Sequence, residues 1–391
     1  MTAAMKIVAV TPVSIGQFLF VRIETDAGIT GLGESGTWGH LAASRAAIET
    51  FAGHLVGQDP APIERHWNLM HRFSHFQGAA INGAIAAIDI ALWDIKGKAL
   101  GVPVHSLLGG PCRTRARVYG HAYGKTTDEL VENCTALREA GFNAVGHINP
   151  FLDEREDDPF YASHVAHMSR AVETVRRVRE ALGGEVDMLL ELHRRLTPAE
   201  AIDFIPRIEP YLPYWCEDPI RPENPDAMAE VARRVHAPIA TGERYASLHD
   251  FRALLARGGA AYARVDVALC GGITGARKVA ALAEAHHVMV APHNPLSPLG
   301  LAACLHLAAA IPNFAIQEYT TGFEALKMET SLSLLGSDVV VGVPPMEDGF
   351  VAIADVPGLG VALAPDAASG RPPIQRPVAM RPHRDGFVVD Q

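Results

Sequence analysis

Six polar residues, Glu191, Glu217, Glu243, Asp266, His293 and Glu318, each close a short apolar run, and each lies about 23 to 27 residues beyond the last. Three carboxylates followed by an acid–histidine pair are the donor set of a metal-assisted acid–base site. Carboxylates delivered by neighbouring strands converge only around a cation, because like charges at close range raise one another's pKa. An all-oxygen set without cysteine favours Mg²⁺ or Mn²⁺ over Zn²⁺, and Mg²⁺ keeps positions open for a substrate. Asp266 ends Arg264-Val-Asp, and His293 sits in Ala291-Pro-His-Asn-Pro. A carboxylate on one imidazole nitrogen fixes the tautomer and makes the other nitrogen a better proton acceptor near neutral pH. His193 follows Glu191 by two residues, so strand alternation predicts both on one face and a second acid–base group across the site from His293.

The interval between these residues is that of one strand, one helix and two loops, which predicts parallel strands delivering side chains to one rim of a barrel. From Arg117 onward, short β runs alternate with amphipathic helices. The runs are Val118-Tyr-Gly-His, Ala144-Val-Gly-His-Ile, Met188-Leu-Leu-Glu-Leu-His, Tyr214-Trp-Cys-Glu, Ile239-Ala-Thr-Gly-Glu, Ala263-Arg-Val-Asp-Val, Val288-Met-Val-Ala-Pro-His and Phe314-Ala-Ile-Gln-Glu. They suit a (β/α)8-type barrel. Thr197-Pro-Ala-Glu and Ser247-Leu-His-Asp read as helix starts just beyond the polar ladder, which places the ladder at the C-terminal rim. Ahead of the barrel, alternation between Lys6 and Gly33 predicts a small antiparallel sheet. Helical spacing from Leu41 to about Leu108 completes an α+β capping unit. The expected division is an α+β capping domain over 1–116, the barrel over 117–322, and a C-terminal return to the cap over 323–391. The return carries the strand-like Gly349-Phe-Val-Ala-Ile-Ala, and the Pro- and Arg-rich tail from about Pro365 is expected to be loosely held or to lie on a neighbouring subunit.

Composition narrows the function classes. With 391 residues, 48% of them hydrophobic and 20% charged, the chain has material for a large core, and its net charge of −10 argues against a nucleic-acid partner. Five widely spaced cysteines fit neither a disulfide framework nor a CxxC metal site, and a reducing cytoplasm is the expected setting. The first residues lack the pattern of a secretory signal. The apolar stretch from Gly300 to Ile316 is broken by His306 and Pro312, so no membrane span is expected.

Further segments carry a resemblance. Ile88-Asp-Ile-Ala-Leu-Trp-Asp-Ile-Lys-Gly-Lys with Leu107-Leu-Gly-Gly, Glu217-Asp-Pro-Ile, Thr241-Gly-Glu-Arg, Gly271-Gly-Ile-Thr, Ala291-Pro-His-Asn-Pro and Pro357-Gly-Leu-Gly together resemble the enolase superfamily in its mandelate racemase subgroup, over nearly the whole chain. The resemblance implies Mg²⁺ on Glu191, Glu217 and Glu243, removal of the proton α to a carboxylate by an Asp266–His293 dyad, and Glu318 hydrogen-bonded to a carboxylate oxygen of the intermediate. Glu191-Leu-His-Arg is similar to the motif of acid-sugar dehydratases related to galactonate and gluconate dehydratase, in which the histidine acts as general acid. Where racemases of this subgroup carry Lys-x-Lys, this chain has Gly146-His-Ile-Asn. Ala268 replaces the lysine of the muconate-cycloisomerase subgroup, and Glu191 stands where many relatives have Asp.

The reaction this implies is dehydration of a sugar acid, an aldonate or aldarate, to a 2-keto-3-deoxy acid. His293 would take the C2 proton and His193 would protonate the departing 3-hydroxyl, with His147, Asn149 and Arg194 as candidate substrate-binding residues. The alternatives are an epimerase using His147 with His293, and a non-catalytic sugar-acid binder. A small-molecule substrate and a homo-oligomer are the expected partners. Gly271, Gly272 and Gly275 read as a tight loop and not as a phosphate cradle. His71 and His75 lack the intervening Glu of a metal motif, so Phe73, His75 and Phe76 are expected as pocket walls or surface. The acidic insert from Asp153 to Asp158 reads as a charged loop or lid.

Overall fold

Alternating apolar positions make Ile7–Ile15 (β1), Phe18–Thr25 (β2) and Thr30–Glu34 (β3) a meander, antiparallel throughout. In the computed structural model, which describes residues 5–73, 75–152, 163–322, 330–375 and 381–389, this sheet packs on Leu41–Leu55 (α1) and Ala79–Leu100 (α3), and Ile63–Phe73 (α2) packs on α3. Helix α3 is buried around much of its circumference, because it is wedged between the sheet and the barrel. It stops at Gly101 in the left-handed conformation (φ 68°), as a C-terminal glycine permits. Two glycines of β3 admit the helix: a Cβ on Gly31 or Gly33 would lie 2.2 and 1.8 Å from the carbonyl oxygens of Ala91 and Ala87.

After the short helix Val104–Leu107 (α4), eight strands alternate with seven α-helices among the described residues. The strands are Arg115–His121 (β4), Ala144–Ile148 (β5), Asp187–Glu191 (β6), Trp215–Glu217 (β7), Ile239–Thr241 (β8), Tyr262–Ala263 (β9), Met289–Val290 (β10) and Gln317–Tyr319 (β11). They pair in parallel in sequence order, the Val290–Phe314 bridge joins β10 to the run leading into β11, and β11 returns to β4, closing the barrel. The intervening helices are Thr127–Glu139 (α5), His164–Leu182 (α6), Pro198–Ile208 (α7), Pro225–Arg234 (α8), Leu248–Leu255 (α9), Gly272–Ala285 (α10) and Pro298–Ala310 (α11). Thr197 and Ser247 each complete a capping box with Glu200 and Asp250, so both helix starts are fixed by local sequence.

The barrel interior is plugged by Tyr119, Ala144, Leu189, Trp215, Ala240, Ala291 and Ile316. Strand side chains repeat every two residues, so Leu189, Trp215, Ala291 and Ile316 set Glu191, Glu217, His293 and Glu318 one layer above, at the C-terminal rim. An apolar floor thus supports a polar ceiling.

The C-terminal segment divides its attachments. Phe350–Ala352, expected to return to the cap, instead pairs antiparallel with Arg115–Arg117 at the start of β4, because that strand begins ahead of its parallel partners and leaves its edge open. Pro357-Gly-Leu-Gly does reach α3: the Gly358 N–H donates to Val102 O, and a Cβ on Gly97 would meet Gly358 Cα at 2.7 Å. The tail is held through Ile374, whose N–H donates to Gly16 O in the β1–β2 turn. The acidic insert 153–158 lies outside the described residues.

Candidate active site

Three strand ends in a row bring Glu191, Glu217 and Glu243 together, with one oxygen of each within 4.8 Å of the others. Glu191 and Glu217 are buried. Glu191 accepts from the His193 N–H (2.8 Å), and Glu217 accepts from Arg264 Nε (2.5 Å). Burial, then Glu217, Glu243 and Asp218, push Glu191 well above the usual carboxylate range. Burial raises Glu217 to about 8 against the pull of Arg264. Glu243 is the exception: burial would raise it, but His293, His193 and Arg244 bring it down to about 2. Carboxylates that hold one another out of the ionised state are what a divalent cation relieves, and a donor set of oxygen alone fits a hard ion. This is a candidate metal site.

The acid–histidine pair is formed. Asp266 and His293 lie just past β9 and β10 and bridge in parallel, with Asp266 Oδ2 2.9 Å from His293 Nδ1. The other ring nitrogen, Nε2, is 3.4 Å from Glu243 Oε2, so the free face of the imidazole looks toward the carboxylate trio. Burial lowers the pKa of His293, but Glu318, Glu243 and Asp266 outweigh it and raise it to about 9.

His193 also reaches the trio, by a different route from strand alternation. Strand β6 ends at Glu191, and His193 and Arg194 turn into the left-handed region (φ 50° and 68°), a conformation non-glycine residues adopt only when held. The Glu191 carboxylate provides that hold on the His193 N–H. The Arg194 N–H donates to Asp218 O (2.6 Å) and ties the turn to the next strand end. His193 follows the third barrel strand and His293 the seventh, so they stand at opposite points of an eight-membered ring.

His147, at φ 54°, stacks on His121 (ring centroids 4.9 Å, 16°) and lies edge-on to Tyr123 (5.1 Å) and to His193 (6.4 Å). Burial, His121 and His193 hold it well below the usual histidine range, so its ring is neutral. Asn149 Oδ1 accepts from the Phe151 N–H (2.9 Å) and closes a local turn. Glu318 is enclosed by donors. Its Oε2 accepts from Arg264 (2.6 Å) and from the Asn294 N–H (2.8 Å), and Oε1 lies 2.9 Å from His121 Nε2. Burial alone would raise Glu318, but Arg264, His293 and His121 hold it well below the carboxylate range.

Arg264 and His121 are the residues that sequence reasoning overlooks. Arg264 is 1% exposed, with its guanidinium over the rings of Trp215 (5.3 Å) and Tyr119 (5.7 Å). Its position two residues before Asp266 was the available signal, since the comparable place below His293 or Glu318 holds an apolar plug residue. His121 stands at a strand end, as the other site residues do. Around the mouth the cap contributes Gly36, where a Cβ would meet Asp266 Oδ1 at 3.1 Å. Phe73 and Phe76 are exposed at 63% and 84%, which makes them surface and not pocket wall.

Residues 2–109 match the family described as mandelate racemase/muconate lactonizing enzyme, N-terminal domain, and residues 129–367 match the enolase C-terminal domain-like family. The chain is similar to a D-galactonate dehydratase of Verminephrobacter eiseniae, 37% identical over 99% of this chain and 100% of the relative. Among solved structures it resembles an enolase of Agrobacterium radiobacter, described as a galactarate dehydratase candidate with bound sodium and L-malate. That likeness is 29% identical, with a TM-score of 0.91 over 99% of this chain and 100% of the other. It also resembles the 3,6-anhydro-D-galactonate cycloisomerase of Zobellia galactanivorans, 26% identical, with a TM-score of 0.82 over 94% and 99% of the two chains.

Proposed function

Because the chain belongs to the mandelate racemase/muconate lactonizing enzyme family and is a hydro-lyase of the acid-sugar dehydratase kind, we propose that it converts an aldonate or aldarate to a 2-keto-3-deoxy acid with Mg²⁺ as its cofactor. The observation that carries this reading is the placement of His293 and His193 at opposite points of the ring around Glu191, Glu217 and Glu243. A bound Mg²⁺ on those carboxylates would take up charge developing on the substrate carboxylate and, by neutralising Glu243, would ease His293 toward its free-base form.

His293 Nε2 takes the proton from C2, while Asp266 keeps the proton on Nδ1 and stabilises the imidazolium that forms. The electron pair left at C2 moves into the carboxylate as an enediolate. Its collapse expels the C3 hydroxyl, which leaves as water with a proton from His193, and the enol product tautomerises to the 2-keto acid. Arg194 adjoins His193 in the chain and His147 lies edge-on to it, which supports assigning both to the hydroxyls beyond C3. His147 is the second base that an epimerase would need, and its depressed pKa makes it a poor one.

Among the described residues no helix is long and apolar enough to cross a membrane. We place the reaction in the cytoplasm, where five free cysteines are in keeping, and propose a homo-oligomer as the working form. The decisive experiment incubates the Mg²⁺-loaded protein with a panel of C5 and C6 aldonates and aldarates and assays 2-keto-3-deoxy product. Product from one member is the expected result. Silence across the panel with deuterium entering C2 from solvent would replace dehydration by epimerisation.

A further inference from the structure

Arg264 is a buried cation shared between the carboxylate trio and Glu318. Its Nε donates to Glu217 Oε1 (2.5 Å), its NH2 donates to Glu318 Oε2 (2.6 Å) and meets the Tyr119 hydroxyl (2.8 Å), and its NH1 donates to the carbonyls of Ala291 and Pro292 (3.0 and 3.2 Å). A buried ion of this kind is costly unless every donor is answered, and each nitrogen of this guanidinium is answered. Those contacts run to three strands beside its own: β4 through Tyr119, β7 through Glu217 and β11 through Glu318. The last two residues reached, Ala291 and Pro292, lead directly into His293.

We infer that Arg264 is a positioning residue that sets the charge of the site, lowering the affinity of Glu191, Glu217 and Glu243 for a divalent cation so that the loaded site still accepts an anionic substrate. The inference rests on the metal reading above. Glu191, Glu217, Glu243, Asp266 and Glu318 together carry five potential negative charges in one barrel mouth. A divalent ion offsets two of them and a protonated His293 at most a third, so an incoming carboxylate would still face a negative wall. Arg264 supplies a permanent charge that does not titrate away and, because it lies in the layer below, leaves the mouth itself open.

The sign of the effect separates this role from a structural one. Removing a positive charge beside Glu217 strengthens the field felt by any cation there, and a divalent ion feels the change twice as strongly as a competing proton. Arg264→Met should therefore bind Mg²⁺ at least tenfold more tightly by calorimetry without substrate. For the acid turned over in the panel above, its KM should rise at least tenfold. Arg264→Lys keeps the charge and should hold the Mg²⁺ dissociation constant within threefold of the parent. A residue that merely braces the barrel would weaken Mg²⁺ binding in both variants, and that outcome overturns the inference. Should the Met variant fail to fold, the Lys variant decides alone: a tenfold loss of Mg²⁺ affinity there means that geometry and not charge is at work. A parent protein that binds no Mg²⁺ overturns the metal reading itself, a result distinct from either variant outcome.

Discussion

Buried carboxylates occur in two places in this molecule, and they are answered in opposite ways. Along the seam between cap and barrel, each meets backbone N–H groups of another segment. Glu34 accepts from the Ser297 N–H (3.2 Å), the Ser297 hydroxyl (2.6 Å) and the Gly300 N–H (3.0 Å) at the start of α11. Asp89 accepts from the Thr274 N–H (2.9 Å) at the start of α10, where a Cβ on Gly272 would lie 2.4 Å from its Oδ2. At the mouth, by contrast, Glu191, Glu217 and Glu243 face one another. An acid set against a helix N-terminus finds backbone donors within the chain, although Asp89 Oδ1 is buried without a partner among the described residues. An acid set against acids waits for a cation from outside, which is how equally buried groups can be structural in one place and functional in the other.

The contrast can be broken most strongly at the mouth. Glu217→Gln removes a proposed ligand and leaves Arg264 half paired. It should cost at least about 100-fold in Mg²⁺ affinity by calorimetry and nearly all turnover. The two histidines should then separate the two halves of the reaction. His293→Asn is expected to abolish both deuterium entry at C2 and product formation, with a loss of about 10² to 10⁴ in rate. His193→Asn should lose product to a similar degree while deuterium still enters C2, which NMR of recovered substrate would reveal.

Smaller effects come from pH, and they run in opposite directions in the two regions. At the mouth, Glu217 titrates at about 8 because burial raises it, so protons compete with a metal below that pH. Apparent Mg²⁺ affinity should climb as pH rises toward 8 and level off above it. A flat profile from pH 6 to 9 would sink the idea that these carboxylates await a cation. At the seam, burial raises Glu34 from 4.5 to about 7 and outweighs its bonds to Ser297 and Gly300. The folded protein therefore holds that proton more tightly than the unfolded chain does. The resulting stabilisation is complete below the unfolded value of 4.5 and disappears as pH rises through 7. Its full size is about 3 kcal/mol. Glu34→Gln, neutral at every pH, should lack this slope in thermal or denaturant unfolding while the parent loses stability between those limits.

The barrel was readable because its signals are local. Two-residue alternation and strand ends place Glu191, Glu217, His293 and Glu318, and the hydroxyl–Pro–acid pattern at Thr197 fixes a helix start that its own box completes. What escaped local reading depends on partners far along the chain. Arg264 answers Glu217 and Glu318, 47 and 54 residues away, and within its own strand it looks like an ordinary charged position. Glu34 and Asp89 meet helices 263 and 185 residues downstream. His193 faces the site by a turn and not by strand period, a distinction that needs backbone angles.

Asp94 closes the molecule on itself. It lies on α3 in the cap, receives the Leu32 N–H (3.0 Å) from the strand beside it, and receives the Leu359 N–H (2.9 Å) from the segment that follows the entire barrel. The same carboxylate contacts Lys98 Nζ at 2.6 Å. In mechanical terms this is a clasp: the path of the chain leaves the cap, makes the barrel and is fastened back where it began. Tension applied to the two ends of the protein would load this fastening and the Phe350–Ala352 strand before it reached the strands that carry Glu191, Glu217 and Glu243.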